Sequence, residues 1–312
     1  MSRAEIRSLT LAAAAFALLA FLPFLKDSGY LLSVSVSIAM YTVLATSWAL
    51  FSGPTHYISL ATAAFYGLGA YVVAAGIGAI SYPLLLALAG TAGAVLALAV
   101  GVTTLRLTGV YFVIFTLGLA ELIRQVVTWV QNNLTGSRGM YVFTEITERI
   151  IYWELLGLAA LVYLVGWLVA RSRLGFALHI IGNDELVAAH VGINSAAAKL
   201  ILFVISGVFA AVVGAVMAPR YTYIEPSIVY SPELSFQVVI MALLGGAHRL
   251  WGPLVGVIPF ALLWELIAAR FPTQTVLLLG VAFLLIVYLI PHGVVGRIEF
   301  ALERLRWGTR RG

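Results

Sequence analysis

The ionisable residues of this 312-residue chain are few, and their spacing excludes several kinds of chemistry. A phosphate-binding P-loop needs Gly-Lys-Ser/Thr, yet neither of the two lysines, Lys26 and Lys199, follows a glycine. The five histidines form no His-Glu-x-x-His zinc motif, and no Gly-x-Ser-x-Gly nucleophile elbow occurs. Cysteine is absent, which excludes thiolate ligands and disulfides. We therefore predict a chain that is not an enzyme and has no catalytic, cofactor or metal site.

Two charged residues, Glu121 and Arg124, stand three positions apart inside an apolar stretch. A charge at membrane depth costs about 2.5–3.5 kcal/mol on insertion scales, so both side chains should face protein, water or each other. At this spacing on a helix they can form an ion pair. The pair either locks the helix near the outer interface, or both residues belong to a translocation path or its gate.

The composition identifies the solvent of the chain as lipid. Hydrophobic residues make up 62% and charged residues 10% of the sequence, with a mean hydropathy of +1.04. Soluble domains are about 45–50% apolar and about 25% charged. The net charge of +5 does not indicate nucleic-acid binding, because the basic residues lie at the ends of apolar runs.

The apolar runs predict an all-α polytopic membrane protein, a bundle of ten transmembrane helices with eight or nine as alternative counts. The predicted spans are Leu9–Leu25, Leu31–Phe51, Ala61–Ile80, Pro83–Leu105, Tyr111–Val130, Trp153–Ala170, Leu200–Tyr221, Leu234–Leu244, Leu254–Ala269 and Val276–Ile290. The first is interpreted as an uncleaved span. The short eighth span, followed by Gly245 and Gly246, is a candidate half-helix.

Lysine and arginine are distributed unequally between the two predicted sides. With both termini inside, twelve basic residues fall on the cytoplasmic side and five on the opposite side. The positive-inside rule therefore predicts cytoplasmic N- and C-termini in a bacterial inner membrane. We expect residues 1–312 to form one transmembrane domain, with a charged cytoplasmic loop over 171–199 and a basic tail over 297–312 that lies on anionic headgroups.

The charged loop over 171–199 contains the signals of a short helix. Asn183 can cap its N-terminus, Asp184 and Glu185 place negative charge on the first turn, and Gly192 can end it. The predicted helix has about eight residues, with Leu186, Ala189 and His190 on one face and Glu185 and Ala188 toward another. It is either an ordinary interfacial helix or a surface on which another protein docks.

This loop resembles the cytoplasmic Glu-Ala-Ala…Gly loop of bacterial ABC importer permeases, here Glu185-Leu-Val-Ala188-Ala189-His-Val-Gly192. The whole chain is similar to permeases of the branched-chain amino acid importer family. The matching segments are Ser59–Tyr71, Leu105–Glu121, Leu134–Gly139, Gly192–Leu200 and Leu244–Gly256. Two departures, Ser59–Thr62 and Ser137, fall where the family usually carries other residues and could touch the substrate path.

The resemblance implies a transport subunit driven by others. In that family the loop docks on an ATPase subunit, which assigns ATPase coupling to Asn183, Asp184, Glu185, Ala188, Ala189 and Gly192. It also implies a second related permease, two ATPase subunits that bind ATP and magnesium, and a periplasmic binding protein, in addition to membrane lipids and without nucleic acid. The permease pair is either heterodimeric or homodimeric.

The matching segments also supply candidates for the substrate path or gate: Ser59, Gly67, Gly69, Thr116, Glu121, Gly245 and Gly246. The glycines either pack helices closely or line a cavity, and Ser59–Tyr71 and Ser235–Trp251 are candidate halves of an internal repeat. The outer segment Gln131–Tyr152 is either a docking surface for the binding protein or a plain connection.

The cargo stays open at this point. The resemblance implies branched-chain or other apolar amino acids, with urea, short amides and aromatic acids as alternatives. An ion-coupled secondary transporter is the competing class, and it would need mid-depth ionisable residues, for which only Glu121 and Glu265 qualify.

Overall fold

The computed structural model describes residues 29–107 and 109–271 and, beyond these, 273–275, 277–278, 280–281 and 284–285. Helices account for most of this part of the chain. The α-helices are α1 (Gly29–Thr55), α2 (Thr62–Gly76), α3 (Tyr82–Thr104), α4 (Val110–Val130), α5 (Glu148–Arg171), α6 (Arg173–Asn183), α7 (Glu185–His190), α8 (Ser195–Met217), α9 (Pro226–Val229), α10 (Pro232–Gly245) and α11 (Gly252–Arg270).

Eight of the ten predicted spans coincide with helices, which confirms a multi-pass helical membrane protein. Among the described residues, seven helical stretches are long and apolar enough to cross a membrane, and α9 and α10 together make one of them, Pro226–Gly245. The predicted third span, Ala61–Ile80, coincides with the shorter apolar helix α2. The predicted span Leu9–Leu25, the tail over 297–312 and most of Val276–Ile290 lie outside the described residues.

Helix α8 lies at the centre of the bundle, packed against α1, α2 and α3. Small residues permit this close packing, as in other membrane helix interfaces. A Cβ atom at Gly93 of α3 would stand 2.6 Å from Cβ of Ala211, and one at Gly214 would stand 1.9 Å from the carbonyl oxygen of Tyr66. The rings of Phe51, Phe112 and Phe203 cluster where α1, α4 and α8 meet.

Each of the two ends of the bundle has its own polar contacts. At one end, Arg220 binds Glu148 at 3.2 Å and donates to Ser33 at 2.6 Å. This end also holds the only strands of the described residues, β1 (Met140–Tyr141) and β2 (Tyr223–Ile224), paired antiparallel. We call it the β end. At the other end, which we call the α7 end, Lys199 binds Glu185.

Candidate functional site

The α7 end begins with two consecutive capped helices. Ser172 caps α6 through its hydroxyl oxygen, which accepts from the backbone of Leu174 at 3.2 Å and Gly175 at 3.3 Å. Asp184 caps α7, because its Oδ1 accepts from the backbone nitrogens of Leu186 at 2.8 Å and Val187 at 3.4 Å. Each cap satisfies amide groups that a helix start leaves without partners.

The prediction that Asn183 caps this helix is wrong. Asn183 is the last residue of α6, and its side-chain amide donates to the carbonyl oxygen of His179 at 2.8 Å. Asp184 has the extended backbone of a cap residue, with φ −158° and ψ 117°. The helix Glu185–His190 therefore has six residues, compared with about eight expected from the caps in the sequence.

Gly192 ends the helical turn as predicted, with a φ of +78° that favours glycine. The predicted division into faces is observed only in part, because Glu185, which was placed with Ala188, is half-exposed. Ala188 is fully buried, whereas Leu186 is 72% exposed, beside the exposed Ala189 and His190. A short helix that exposes large apolar residues is typical of a protein–protein contact surface.

Lys199 joins this helix to the bundle. Its side chain is only 3% exposed, and its Nζ lies 2.7 Å from Oε2 of Glu185, which is 51% exposed. The same Nζ donates to the hydroxyl of Tyr57 at 3.2 Å and stands 4.2 Å from the centre of that ring. A buried ammonium group requires such partners, because a lone charge is costly away from water. Lys199 was not among the residues predicted for this site.

Tyr57 belongs to a non-helical stretch between α1 and α2, residues 56–61, which we call the unwound segment. It begins at His56, which has a φ of +59° that is uncommon for a residue other than glycine. Side chains from other helices satisfy its buried backbone. The indole of Trp48 donates to the carbonyl oxygen of Ser59 at 2.7 Å, and the amide of Leu60 donates to the hydroxyl of Thr116 at 3.1 Å.

Two candidate path residues, Ser59 and Thr116, are thus brought together at this segment. Ser235 of α10 joins them, because its fully buried hydroxyl accepts from the backbone of Ala63 at the start of α2. Ser235 also places the two candidate repeat segments in contact. Trp48 and Ser235 were not among the predicted site residues, although a serine in an apolar span is a signal for such a bond.

Three of the four candidate glycines make close packing contacts. A Cβ atom at Gly67 would meet the ring of Tyr230 at 2.3 Å, and one at Gly69 would meet the carbonyl oxygen of Ala211 at 1.7 Å. One at Gly245 would meet the carbonyl oxygen of Gly252 at 1.8 Å. Gly246 turns the chain between α10 and α11 with a φ of +108°. These contacts favour the packing interpretation over a cavity lining.

The predicted ion pair between Glu121 and Arg124 is present. The Nε atom of Arg124 donates to Oε2 of Glu121 at 2.8 Å, and Gln125 donates to Oε1 at 2.8 Å. Both charged side chains are partly exposed, at 40% for Glu121 and 30% for Arg124. Thr116 and Glu121 stand five positions apart on α4, so their side chains point about 140° apart. The structure therefore does not bring Glu121 to the unwound segment.

A cavity of about 750 Å³ opens beside the unwound segment at the α7 end. Its polar lining is basic: His56, His179, His248, Arg171 and Arg249 contribute to it, and none of its described lining residues is acidic. The rings of His56 and His248, both on its lining, have centres 5.3 Å apart.

At the β end, the outer segment Gln131–Tyr152 contains a turn of π-helix, strand β1 and the start of α5. Its aromatic side chains are exposed, with Tyr141 at 64% and Phe143 at 75%, and their rings stack 5.7 Å apart. Exposed aromatic residues of this kind are enriched at protein–protein contacts.

Comparison with known proteins gives one family. Residues 30–289 match the family described as branched-chain amino acid transport system / permease component. The chain is 24% identical to the high-affinity branched-chain amino acid transport system permease protein LivM of Salmonella typhimurium, over 93% of this chain and 75% of that protein. It is 25% identical to LivM of Escherichia coli over the same shares.

A second kind of permease is also similar. The high-affinity branched-chain amino acid transport system permease protein LivH of Escherichia coli is 28% identical to the chain over 49% of each protein. No solved structure matches the chain.

Proposed function

The chain belongs to the family of permease components of branched-chain amino acid transport systems, and we propose that it is the membrane-spanning subunit of an ABC importer. The observation that carries this proposal is α7, a capped helix at one end of the bundle that exposes Leu186 and is bound through Glu185 to the buried Lys199. A surface that must receive force from an ATPase needs both an exposed contact face and a firm attachment to the bundle.

In the proposed orientation, the α7 end faces the cytoplasm and the β end faces the periplasm of a bacterial inner membrane. The positive-inside rule supports this orientation, because the α7 end carries Arg171, Arg173, Lys199 and Arg249. With Arg106, the α7 end has five basic residues among those described, and the β end has four, Arg138, Arg149, Arg220 and Arg270. Of these four, Arg220 binds the acidic Glu148.

The proposed cargo is a branched-chain or other apolar amino acid, which the names of the LivM and LivH relatives support. Urea, short amides and aromatic acids are the alternatives within the same family of transporters. The departures at Ser59–Thr62 and Ser137 bear on this choice, since Ser59 lies at the unwound segment, where non-helical backbone enters the bundle.

The proposed mechanism is alternating access without covalent chemistry in this chain. A periplasmic binding protein delivers substrate at the β end, where Tyr141 and Phe143 supply a contact surface. Two ATPase subunits, which bind ATP and magnesium, push on α7 from the cytoplasm. A second related permease completes the pathway, and similarity to both LivM and LivH supports a heterodimer. Differential contacts with the two states of the bundle drive the change.

Reconstitution tests this proposal against an ion-coupled transporter. The chain is expressed with a candidate second permease, ATPase subunits and binding protein, and the purified complex is placed in liposomes. We expect ATPase subunits to co-purify with the chain, and uptake of labelled leucine to require internal ATP and the binding protein. Uptake by the purified chain alone under a sodium or proton gradient would overturn the proposal. Parallel uptake of urea and phenylalanine distinguishes the alternative cargoes.

A further inference from the structure

The buried ammonium group of Lys199 contacts two segments that are distant in sequence. Its Nζ binds Glu185, the first residue of α7, and Tyr57, the second residue of the unwound segment. Lys199 itself lies in the second turn of α8, and both of its partners lie outside that helix. The ammonium group is therefore a bridge between α7 and the unwound segment across α8.

Tyr57 is in turn connected to the interior. Its ring meets the ring of Phe112 edge-on, with centres 5.1 Å apart, and Phe112 is fully buried on the first turn of α4. One helical turn further, Thr116 holds the amide of Leu60 in the same unwound segment. Residues 57–60 are thus held by side chains rather than by helical hydrogen bonds, which allows them a second arrangement if those side chains shift.

We propose that Lys199 is a positioning residue that transmits the displacement of α7 to the unwound segment and so to the start of α2. This inference rests on the proposed function, in which an ATPase displaces α7. When α7 moves, Glu185, the ammonium group and Tyr57 move together, because separating a buried charge from its partners is costly. The bonds of Ser59, Leu60 and Ala63 then change together, at the place where the bundle is not helical.

The charge is suited to this task. An apolar contact between α7 and Tyr57 would slide easily, whereas an ammonium group with a carboxylate and a tyrosine must keep both within bonding distance or leave a charge unpaired. The half-exposed position of Glu185 leaves it accessible to the cytoplasmic surface, while Lys199 is 3% exposed. The bridge therefore runs from the surface into the bundle.

The experiment uses the complete transporter in liposomes with spin labels, for which the cysteine-free chain is a clean background. One label at V95C on the exposed face of α3 serves as the reference, because Val95 is 66% exposed. A second label is placed either on α7 at A189C or in the unwound segment at I58C. The two distances are measured with and without ATP under non-hydrolysing conditions.

In the parent complex, we expect ATP to change both distances. In K199M, we expect the distance from position 189 to change as before and the distance from position 58 to stay constant. Uptake per ATP hydrolysed should fall at least about fivefold, the lower range of measured coupling between sites. K199R, which keeps the charge, should restore most of the uptake, and R173M, which removes an exposed charge at the same end, should leave it unchanged.

Two results would overturn the inference. If both distances still change in K199M, Lys199 does not transmit the motion, although the role of α7 in ATPase coupling stands. If position 189 does not respond to ATP in the parent complex, the coupling role of α7 fails, and the inference fails with it. L186E on the exposed face of α7 separates the two cases, because it should reduce ATPase stimulation without altering Lys199.

Discussion

Gly69 of α2 lies directly against the carbonyl oxygen of Ala211 in α8, so close that a Cβ atom at Gly69 would stand 1.7 Å from that oxygen. This approach sets the distance between the short helix α2 and the central helix. The same contact fixes the position of α2, whose N-terminal end follows the unwound segment and is not continuous with another helix. The packing of α2 is therefore a property of its small residues.

The substitution Gly69→Ala should destabilise the protein by about 1–3 kcal/mol, the usual cost of overpacking a close-packed site. The melting midpoint of the detergent-purified protein should decrease. Gly157→Ala is the matched control, because a Cβ atom there would meet nothing within 4 Å. An unchanged midpoint for Gly69→Ala would show that the two helices separate at little cost.

Thr116→Val removes the acceptor of the Leu60 amide while keeping the shape of the side chain. A buried amide that loses its partner costs about 1–3 kcal/mol. We expect lower thermal stability and slower uptake, because the unwound segment loses one of its fixed points. The control is Thr103→Val, an exposed threonine whose hydroxyl bonds only to its own helix. Equal behaviour of the two variants would contradict a role for Thr116 at the segment.

Because of the ion pair in α4, we expect the single variants Glu121→Gln and Arg124→Gln each to be less stable than the double variant. Each single change leaves one charge at membrane depth without its partner, at a cost of about 2.5–3.5 kcal/mol on insertion scales. Membrane yield and melting midpoint give the comparison. A double variant that is stable but transports nothing would instead support a place for Glu121 in the path or gate.

The proposed orientation predicts the side from which introduced cysteines react. A membrane-impermeant maleimide should label A189C only from the cytoplasm and T222C only from the periplasm, since both positions are exposed at opposite ends of the bundle. Intact cells and inverted vesicles provide the two sides. Labelling in the reverse pattern would contradict cytoplasmic termini and the assignment of the α7 end.

Local features of this protein could be predicted from sequence. Apolar runs located eight helices, the spacing of Glu121 and Arg124 predicted their ion pair, and Gly192 marked the end of α7. The choice between Asn183 and Asp184 as the cap was wrong for a physical reason. Both residues form good caps, and the decision depends on where the preceding helix α6 ends, which its packing determines.

Contacts between distant segments could not be predicted. Lys199 and Tyr57 are 142 positions apart, and Ser235 and Ala63 are 172 positions apart. Periodicity indicates which residues face a core, but it does not indicate which polar groups meet inside it. The buried lysine was counted only as a positive charge on the cytoplasmic side, because nothing local reveals that α8 carries it beneath α7.

The central claim is that α7 is the surface on which the ATPase acts, and a cross-link measures this most directly. A189C in the cysteine-free chain is treated with a short photoactivatable maleimide in the assembled transporter. We predict one adduct, between this chain and an ATPase subunit, whose yield changes when ATP binds. T222C at the β end should give no such adduct. An A189C probe that never reaches the ATPase would contradict the account.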